Sequence, residues 1–157
     1  MYMEYDVYTD GSCKGNPGPG GIGAIVYRDG AVVYTISQGY YRTTNNRMEL
    51  RAVIEVLKRY GAVDTITVWT DSEYVRKGVV QWMHTWKENG WMRLERGRKQ
   101  PVKNVDLWKE LDSLVKDHVV FRWIKGHSNE EGNERADALA VMASSRGPFV
   151  RDAGFSG

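Results

Sequence analysis

The chain has 157 residues, of which 41% are hydrophobic and 27% are charged, and its formal net charge is only +2. This length and composition fit one globular domain with its own core. The single cysteine, Cys13, excludes an internal disulfide and a zinc site built from several cysteines. No apolar run approaches the ~20 residues of a membrane span, and residues 1–6 lack the features of a secretory signal. We therefore expect a cytoplasmic protein with no membrane partner.

Basic residues are concentrated in one segment, residues 81–104, which we call the basic limb. It holds six Lys or Arg and two Glu, a net charge of +4, so the rest of the chain carries a net charge of −2. A basic limb on a slightly acidic body favours a polyanion as the binding partner.

Strand patterns open the chain. The run Asp29-Gly30 is a hairpin signal between the second and third predicted strands. The Gly- and Pro-rich run at 11–21 predicts a shaped loop, where a phosphate or a metal ion could come close to the backbone. Alternating or clustered apolar and β-branched residues predict strands at about 5–10, 22–27 and 31–41.

Helical patterns then alternate with further strands. The resulting order predicts an α/β fold with a five-stranded mixed sheet, three antiparallel strands followed by parallel ones, flanked by helices. Residues 145–157 lack a core-forming pattern, so we expect a domain over residues 1–144 and a flexible C-terminal tail. The predicted helices are at about 43–60, 72–77, 79–88, 105–116 and 134–143, and the predicted strands at about 65–70 and 119–124.

Two of the predicted strands end in aspartates. The strands that end at Asp10 and Asp71 can lie parallel, joined by a right-handed crossover through the helix that carries Glu49. Both aspartates would then meet at one edge of the sheet. Each acid also has a local explanation. Asp10 could be a turn residue and Asp71 a helix cap, while Glu49 could form a capping box with Asn46. Asp137, on the last predicted helix, could be a solvated charge.

Four acids gathered at one edge would need cations. Neighbouring carboxylates repel one another and retain protons unless a cation is present. Mg²⁺ or Mn²⁺ suits an all-oxygen set of ligands, and two such ions ~4 Å apart can activate a water and stabilise the leaving oxygen of a phosphodiester. His127, on a polar loop before the helix of Asp137, is suited to moving protons near neutral pH. The alternative for His127 is a surface histidine with no role.

Six motifs occur along the chain in a characteristic order. Together they resemble the bacterial ribonuclease H family of type 1, and the resemblance extends over residues 5–143. The motifs are TDGSC at 9–13, GNPGPGG at 15–21, TTNNRMEL at 43–50, TDSEYV at 70–75, KGH at 125–127 and NERAD at 133–137.

The resemblance implies a ribonuclease H-like fold and a specific reaction. That reaction is endonucleolytic hydrolysis of the RNA strand of an RNA–DNA hybrid duplex, which leaves 5′-phosphate and 3′-hydroxyl ends. The resemblance also implies two-metal-ion catalysis by a monomer, with Mg²⁺, or Mn²⁺ as a substitute, and two ions present when substrate is bound. Asp10, Glu49, Asp71 and Asp137 match the family's metal-binding carboxylates, and His127 matches a histidine that assists proton transfer or product release.

Contacts to the RNA strand are also implied by the resemblance. Cys13, Asn16, Asn45 and Asn46 match residues that read the minor groove, where the 2′-hydroxyl marks RNA. From the residues alone, Cys13 could equally be a small buried hydrophobe, and the asparagines could be turn and cap residues.

Contacts to the DNA strand are assigned in the same way. Arg42 and Thr44 match residues that hold a DNA phosphate, and the basic limb matches a protrusion that grips DNA. Two tryptophans of the limb are four residues apart, so we expect one to pack in the core and one to touch DNA. The limb residues assigned to the substrate are Trp82, Trp86, Lys87 and Trp91.

This sequence departs from the family pattern at two assigned positions. Glu73, which we include among the substrate contacts, stands where many relatives have a neutral amide. Thr85 stands where an asparagine often completes the phosphate pocket. The basic limb is also longer than usual, by residues inserted before Pro101. We expect these differences to alter affinity more than chemistry.

Two other function classes remain open from the residues. One is a hybrid-binding module without catalysis, which would have no reason to gather four acids beside phosphates. The other is a nuclease of the same fold that acts on DNA, against which the basic limb and the Asn45-Asn46 pair argue.

Overall fold

Three long antiparallel strands open the computed structural model, which describes residues 3–63, 65–126 and 130–157. They are β1 (Glu4–Cys13), β2 (Gly18–Arg28) and β3 (Ala31–Thr43). Asp29 and Gly30 both have positive φ, as the tight turn between β2 and β3 requires. The predicted glycine-rich loop is wrong over most of its length, because residues 11–13 continue β1 and residues 18–21 begin β2.

The remaining elements alternate between helices and short strands. A π-helical turn, Gly78–Trp82, joins the second and third helices. In chain order the elements are α1 (Asn45–Arg59), β4 (Thr65–Thr70), α2 (Glu73–Lys77), α3 (Met83–Glu88), β5 (Met92–Glu95), β6 (Arg98–Pro101), α4 (Val105–Leu114), β7 (Val119–Trp123), α5 (Glu131–Arg146) and β8 (Phe149–Val150).

One mixed sheet organises these elements, with the strand order β7-β4-β1-β2-β3-β8. β4 is parallel to β1, β7 is parallel to β4, and β8 is parallel to β3. The predicted α/β fold, with antiparallel strands followed by parallel ones, is confirmed. The sheet has six strands rather than the predicted five, because β8 pairs with Gly39 and Tyr40 at the edge of β3.

The main core lies between one face of the sheet and the helices α1 and α4. Because side chains alternate along a strand, the odd-numbered residues of β1 face this core and the even-numbered ones face α5. No helix among the described residues is long and apolar enough to cross a membrane. The largest fully buried apolar side chains include Trp108, Ile54, Leu57, Ile66, Leu107 and Leu111.

Residues 73–88 form one continuous helical run rather than two helices separated at Gly78. α2 passes through the π-helical turn into α3 without a break. Gly78 is buried against the ring of Trp108, where a Cβ would overlap the aromatic carbons. The glycine therefore permits close packing and does not end the helix.

The C-terminal segment differs from the flexible tail predicted for residues 145–157. α5 continues to Arg146, and β8 then adds to the sheet. Asp152 is only 3% exposed and forms ion pairs with Arg47 and Arg51 of α1. The segment is held by pairing and buried charge rather than by apolar side chains, which explains why it lacks a core-forming pattern.

The insertion in the basic limb forms a two-stranded hairpin. β5 and β6 pair antiparallel, with Glu95 opposite Arg98. Arg96 and Gly97, at the tip, both have positive φ, which is the geometry of a two-residue hairpin turn.

Candidate active site

Asp10 lies within β1, opposite Gly23 of β2. The strand continues to Cys13, so the alternative that Asp10 is a turn residue is wrong. The Gly11 N–H donates to its carboxylate at 2.9 Å, and the carboxyl group of Asp137 on α5 lies close enough for a hydrogen-bonding interaction that raises the pKa of Asp10. A hydrogen bond between two carboxyl groups requires a proton on one of them.

Asp71 immediately follows β4, the strand parallel to β1. The cap of α2 is Ser72, whose Oγ accepts a hydrogen bond from the Val75 N–H at 3.1 Å. Asp71 is therefore not the helix cap, and its charge acts on both Asp10 and Glu49. The parallel pairing of β1 with β4 ends at Tyr8 and Trp69, so Asp10 and Asp71 lie two residues past its end at the same edge of the sheet.

Glu49 lies at the beginning of α1, one helical turn after Asn45. The cap of α1 is Thr44, whose Oγ1 accepts a hydrogen bond from the Arg47 N–H at 3.3 Å. The Glu49 carboxylate accepts from the Asn45 Nδ2 at 2.5 Å, which differs from the capping box considered with Asn46. The bond from Asn45 fixes the orientation of the carboxylate on the side of Asp71.

Two glycines allow α1 and α5 to approach the sheet closely. A Cβ on Gly11 would collide with the α1 backbone beside Glu49, and one on Gly23 would collide with the α5 backbone beside Asp137. Because Gly23 is the partner of Asp10 across the strands, the contact between α5 and β2 also sets the separation of Asp10 and Asp137. The glycines of this region thus place the acids.

The electrostatics of the cluster favour protons on two of its acids. Burial, the hydrogen bond to Asp137 and the charges of Asp71 and Asp137 raise the pKa of Asp10 to about 8. Burial and the charge of Asp71 raise the pKa of Glu49 to about 7, against the lowering effect of the hydrogen bond from Asn45. Negative charge is therefore crowded at this edge of the sheet.

These acids fit divalent cations that prefer oxygen ligands. Carboxylates crowded in this way gain a neutralising partner when Mg²⁺ or Mn²⁺ binds. Within residues 3–63, 65–126 and 130–157, no group of three or more Asp, Glu, His or Cys side chains could by itself hold a metal ion. Protein sites for Mg²⁺ on phosphate substrates typically use one or two carboxylates plus substrate oxygens. An open set of acids matches that mode of binding.

His127, the predicted proton-transfer residue, lies outside the described residues. Its neighbour Gly126 is described, and a Cβ placed there would lie 3.2 Å from the Asp71 Oδ2. The chain that leads to His127 therefore passes beside the acidic cluster.

The residues assigned to the RNA strand surround the beginning of α1. Cys13 is half-buried, and its Sγ donates to the carbonyl oxygens of Gly18 and Thr43, both at 3.4 Å. The exposed Asn16 accepts a hydrogen bond from the Asn45 N–H at 3.2 Å. Asn46 is exposed in the next position of the same turn. The structure brings these residues together beside Glu49.

The two residues assigned to a DNA phosphate flank the end of β3. Arg42 is exposed, and its guanidinium donates to the carbonyl oxygen of Gly157 through Nε and Nη2, both at 3.3 Å. Thr44 is half-buried as the cap of α1. Both residues are separated from the basic limb in sequence and lie on the side of the C-terminal segment.

The tryptophans of the basic limb form an aromatic row. The Trp86 ring lies 5.4 Å from Trp108 and 5.6 Å from Trp82, centroid to centroid. Trp82 and Trp86 are both half-buried and line a cavity of about 280 Å³ together with Arg93 and Lys103. Trp91 is also half-buried and packs against the main core. Trp86 reaches the core through Trp108, and the open side of Trp82 and Trp86 faces a cationic cavity.

Three further residues named in the sequence analysis lie on the surface, away from the cluster of acids. The Nζ of Lys87 lies 3.2 Å from Asp112 of α4, so its charge is already paired. Glu73 is exposed, with its carboxylate 3.7 Å from Arg76, and lies two residues after Asp71. Thr85 is exposed on α3. The structure does not bring these three into the cluster of acids.

Sequence reasoning missed two features that bear on the site. One is Asp152 with its partners on α1, which gave no signal because the partners lie about a hundred positions earlier in the chain. The other is the hairpin of β5 and β6, whose turn residues, Arg96 and Gly97, are a recognisable signal.

Comparison with known proteins gives a consistent family assignment. The family model for ribonuclease H matches residues 3–145. A ribonuclease H of Aeromonas salmonicida is 51% identical over 157 residues, which covers 99% of both chains. One of Citrobacter koseri is 48% identical over 156 residues, which covers 99% of this chain and 97% of the relative.

Solved structures agree with this assignment. A type 1 ribonuclease H with a type 2 active-site motif is 35% identical, with a TM-score of 0.74 over 92% of this chain and 74% of its own. A ribonuclease H1 solved in complex with an RNA/DNA hybrid is 26% identical, with a TM-score of 0.67 over 90% of this chain and 96% of its own. With a family model across nearly the whole chain and full-length relatives at about half identity, the chain belongs to the ribonuclease H family of nucleases.

Proposed function

We propose that this chain hydrolyses the RNA strand of RNA–DNA hybrids with the help of two divalent ions, leaving 5′-phosphate and 3′-hydroxyl ends. The observation that carries the proposal is the gathering of Asp10, Glu49, Asp71 and Asp137 beside the asparagines of α1. The family membership and a structural neighbour bound to an RNA/DNA hybrid support the same substrate.

The four carboxylates are the proposed ligands of the ions. Ribonucleases H generally require a divalent metal, and Mg²⁺, with Mn²⁺ as a substitute, suits ligands that are all oxygen. Two such ions held by these carboxylates would supply activation of the attacking water and stabilisation of the departing 3′-oxygen. The protein supplies rigid placement: Asn45 orients Glu49, and the Gly11 N–H orients Asp10.

Proton transfer is proposed for His127. Its sequence position follows Gly126, which lies beside Asp71. A histidine side chain is the type of group that takes up or releases a proton near neutral pH, which suits transfer to the departing oxygen or release of the product.

Discrimination between the two strands is proposed to rest on the start of α1 and the loop before β2. Asn16, Asn45 and Asn46 each offer a donor and an acceptor, which suits a 2′-hydroxyl that is also both. The thiol of Cys13 lies beside them. A DNA strand lacks the 2′-hydroxyl, so it would leave these groups without a partner.

The DNA strand is proposed to lie across Arg42, Thr44 and the basic limb. The cavity lined by Trp82 and Trp86 combines aromatic surface with the charges of Arg93 and Lys103, which suits sugars next to phosphates. Trp91 packs against the main core and so anchors the basic limb to the body of the domain. Lys87 is paired with Asp112 and makes a weaker contact in this proposal. Glu73, a proposed substrate contact that is not assigned to either strand, is paired with Arg76 and also makes a weaker contact.

One chain supplies all four acids, so we also propose a monomer as the active form. We also place it in the cytoplasm, in keeping with its similarity to bacterial ribonucleases H. Sedimentation with and without a hybrid duplex tests the proposal of a monomer. A dimer that is required for cleavage would contradict this proposal.

The direct test is cleavage of end-labelled duplexes of one sequence, prepared as RNA–DNA, RNA–RNA and DNA–DNA. The proposal predicts that only the RNA strand of the hybrid is cut, with Mg²⁺ or Mn²⁺ present and not with EDTA. Tight hybrid binding without any cleavage would instead indicate a binding module. Cleavage of the all-DNA duplex would indicate a DNA nuclease.

A further inference from the structure

Asp152 is the best-connected buried acid among the described residues outside the proposed metal site. Its carboxylate is fully enclosed, and the residue is 3% exposed. It accepts hydrogen bonds from the Thr43 Oγ1 at 2.6 Å, the Arg47 Nε at 2.7 Å and the Arg51 Nη2 at 2.7 Å. One carboxylate from the C-terminal segment therefore joins the end of β3 to the beginning of α1.

The partners of Asp152 are themselves buried. Thr43 is fully buried and Arg47 is 2% exposed. Arg47 also donates to both oxygens of Asp106 at 2.9 and 2.8 Å, and to the Ala153 carbonyl oxygen at 3.2 Å. The guanidinium thus fixes the first turn of α1 to both α4 and the C-terminal segment.

These contacts bracket the residues that the proposed function uses. Thr43 and Arg47 stand on either side of residues 44–46, which hold the helix cap and the two asparagines. Arg47 and Arg51 stand two residues before and two residues after Glu49. Residues four apart lie on one face of a helix, and a residue midway between them points to the other side. Asp152 therefore contacts one face of the first turn of α1, and Glu49 points from the opposite face.

Backbone pairing secures the segment from which Asp152 acts. β8 pairs with Gly39 and Tyr40, and the Pro148 carbonyl oxygen accepts a hydrogen bond from the Gly39 N–H at 3.2 Å. Two residues after β8 the chain delivers Asp152 into the gap between β3 and α1. Burial alone would raise the pKa of Asp152, but hydrogen bonds from Arg47, Thr43 and Arg51 hold this pKa below its ordinary value. The group is therefore charged when it binds the arginines.

We propose that Asp152 is a positioning residue for catalysis, which acts through Thr43, Arg47 and Arg51 to fix the first turn of α1. It thereby places Glu49 for metal binding and residues 44–46 for substrate binding. The inference rests on the proposed function of these residues, and it extends the site to the C-terminal segment.

The experiment compares wild type with Asp152→Asn, which keeps the size of the side chain but removes its charge. Cleavage of the hybrid is followed under single-turnover conditions across a range of Mg²⁺ concentrations, at a temperature where circular dichroism shows both proteins folded. Groups that support metal ligands typically account for roughly 10–100-fold in metal affinity or activity. We expect Asp152→Asn to raise the Mg²⁺ concentration for half-maximal rate by about tenfold or more, with a smaller change in hybrid affinity.

Amide hydrogen exchange without metal or substrate gives a readout independent of activity. We expect exchange at residues 46–49 to become at least roughly tenfold faster in Asp152→Asn, because local opening of that turn becomes easier. Val56→Ala is the matched control, since it removes buried side-chain volume near the other end of α1. It should lower global stability without changing the Mg²⁺ requirement.

Two milder variants keep the test decisive if Asp152→Asn does not fold. Thr43→Val and Arg51→Met each remove one donor to Asp152, and each should raise the Mg²⁺ requirement by about 2–5-fold. Suppose that wild type cleaves the hybrid and that every folded variant has the same Mg²⁺ requirement and the same amide exchange as wild type. That result would overturn the inference. Absence of cleavage by wild type would instead overturn the proposed function, and this inference with it.

Discussion

The fold holds the carboxyl groups of the proposed metal site close together although their negative charges repel one another. Asp10 and Glu49, with pKa values raised to about 8 and about 7, retain protons at pH values where ordinary carboxyl groups are ionised. In the metal-free protein these protons offset part of the crowding. Loss of the protons at higher pH must then either weaken the fold or favour a cation in their place.

Replacement of Asp10 by Asn should stabilise the metal-free protein at alkaline pH. The pKa of Asp10 in the folded state lies above that of an unfolded chain, near 3.8, so its favourable contribution is lost as pH rises from there through about 8. Asn keeps an acceptor for the Gly11 N–H and carries no charge. We expect a gain on the order of 1–3 kcal/mol at about pH 8, and little gain near pH 4.

Urea unfolding in EDTA across this pH range measures the effect. Asp117→Asn is the control, because Asp117 is exposed and precedes β7 at the opposite end of the strand from the acids. An equal gain for Asp10→Asn at both ends of the pH range would contradict the assigned cause.

Protons and metal should compete for the same carboxylates. As pH falls through about 8 to about 7, Asp10 and then Glu49 become protonated in the metal-free site. Mg²⁺ must displace these protons, so the Mg²⁺ concentration for half-maximal cleavage should rise roughly tenfold per pH unit for each proton displaced. Cleavage rates measured over a Mg²⁺ series at several pH values test this, and a requirement independent of pH between 6 and 8 would contradict it.

Three of the four acids could be brought together from the sequence because predicted strand ends and a crossover helix determine where they meet, whereas Asp137 is assigned from its motif. Asp10 and Asp71 follow strand patterns, and Glu49 lies on the connection between the two strands. Asp152 could not be found in this way. It lies in a segment without hydrophobic periodicity, and its role depends on arginines brought to it by the folded chain.

At the level of elements, glycines determine how closely helices pack on the sheet. The Gly- and Pro-rich residues 11–21 suggested a loop, since composition alone does not distinguish a turn from a strand whose glycines allow a helix to pack closely. Gly11 and Gly23 are strand residues whose missing side chains admit α1 and α5. Gly78 admits Trp108 in the same manner, so the helix predicted to stop there continues.

Gly23→Ala should therefore weaken the fold and the site together. The added methyl group would meet the α5 backbone beside Asp137, and either α5 or β2 must move. Overpacking of this kind typically costs about 1–3 kcal/mol, and a displacement near 1 Å can slow a reaction by roughly a hundredfold. Urea unfolding and the single-turnover rate measure the two effects.

Gly61→Ala is the matched control for this substitution. Gly61 is exposed, and a Cβ there meets only the Leu57 carbonyl oxygen at an ordinary distance of 3.4 Å. A Gly23→Ala protein as stable and as fast as Gly61→Ala would show that the α5 contact does not place Asp137.

Across the whole molecule, charge is divided between an acidic site and a basic limb. The limb carries +4 while the remainder carries −2, and its inserted hairpin presents Arg96 and Arg98 in exposed positions. Such a division suits a duplex whose two strands are treated differently, one held by its phosphates and the other cleaved.

The double variant Arg96→Gln/Arg98→Gln should weaken hybrid binding without slowing cleavage of bound substrate. For each arginine that binds a phosphate, its replacement should reduce the slope of log affinity against log salt by about 1. Lys116→Gln/Arg146→Gln removes the same charge outside the limb and is the matched control. A slope unchanged by the limb variant, or changed equally by the control, would contradict a role of the hairpin in phosphate binding.

We expect the cluster of acids to be required for metal-dependent cleavage but not for hybrid binding. The most direct measurement is a Mg²⁺-triggered single-turnover cleavage of a preformed complex with an end-labelled RNA–DNA hybrid, for wild type and Asp10→Asn. We predict that Asp10→Asn binds the hybrid within about threefold of wild type but cleaves it at least roughly a thousandfold more slowly. Cleavage by Asp10→Asn within about tenfold of wild type would contradict it.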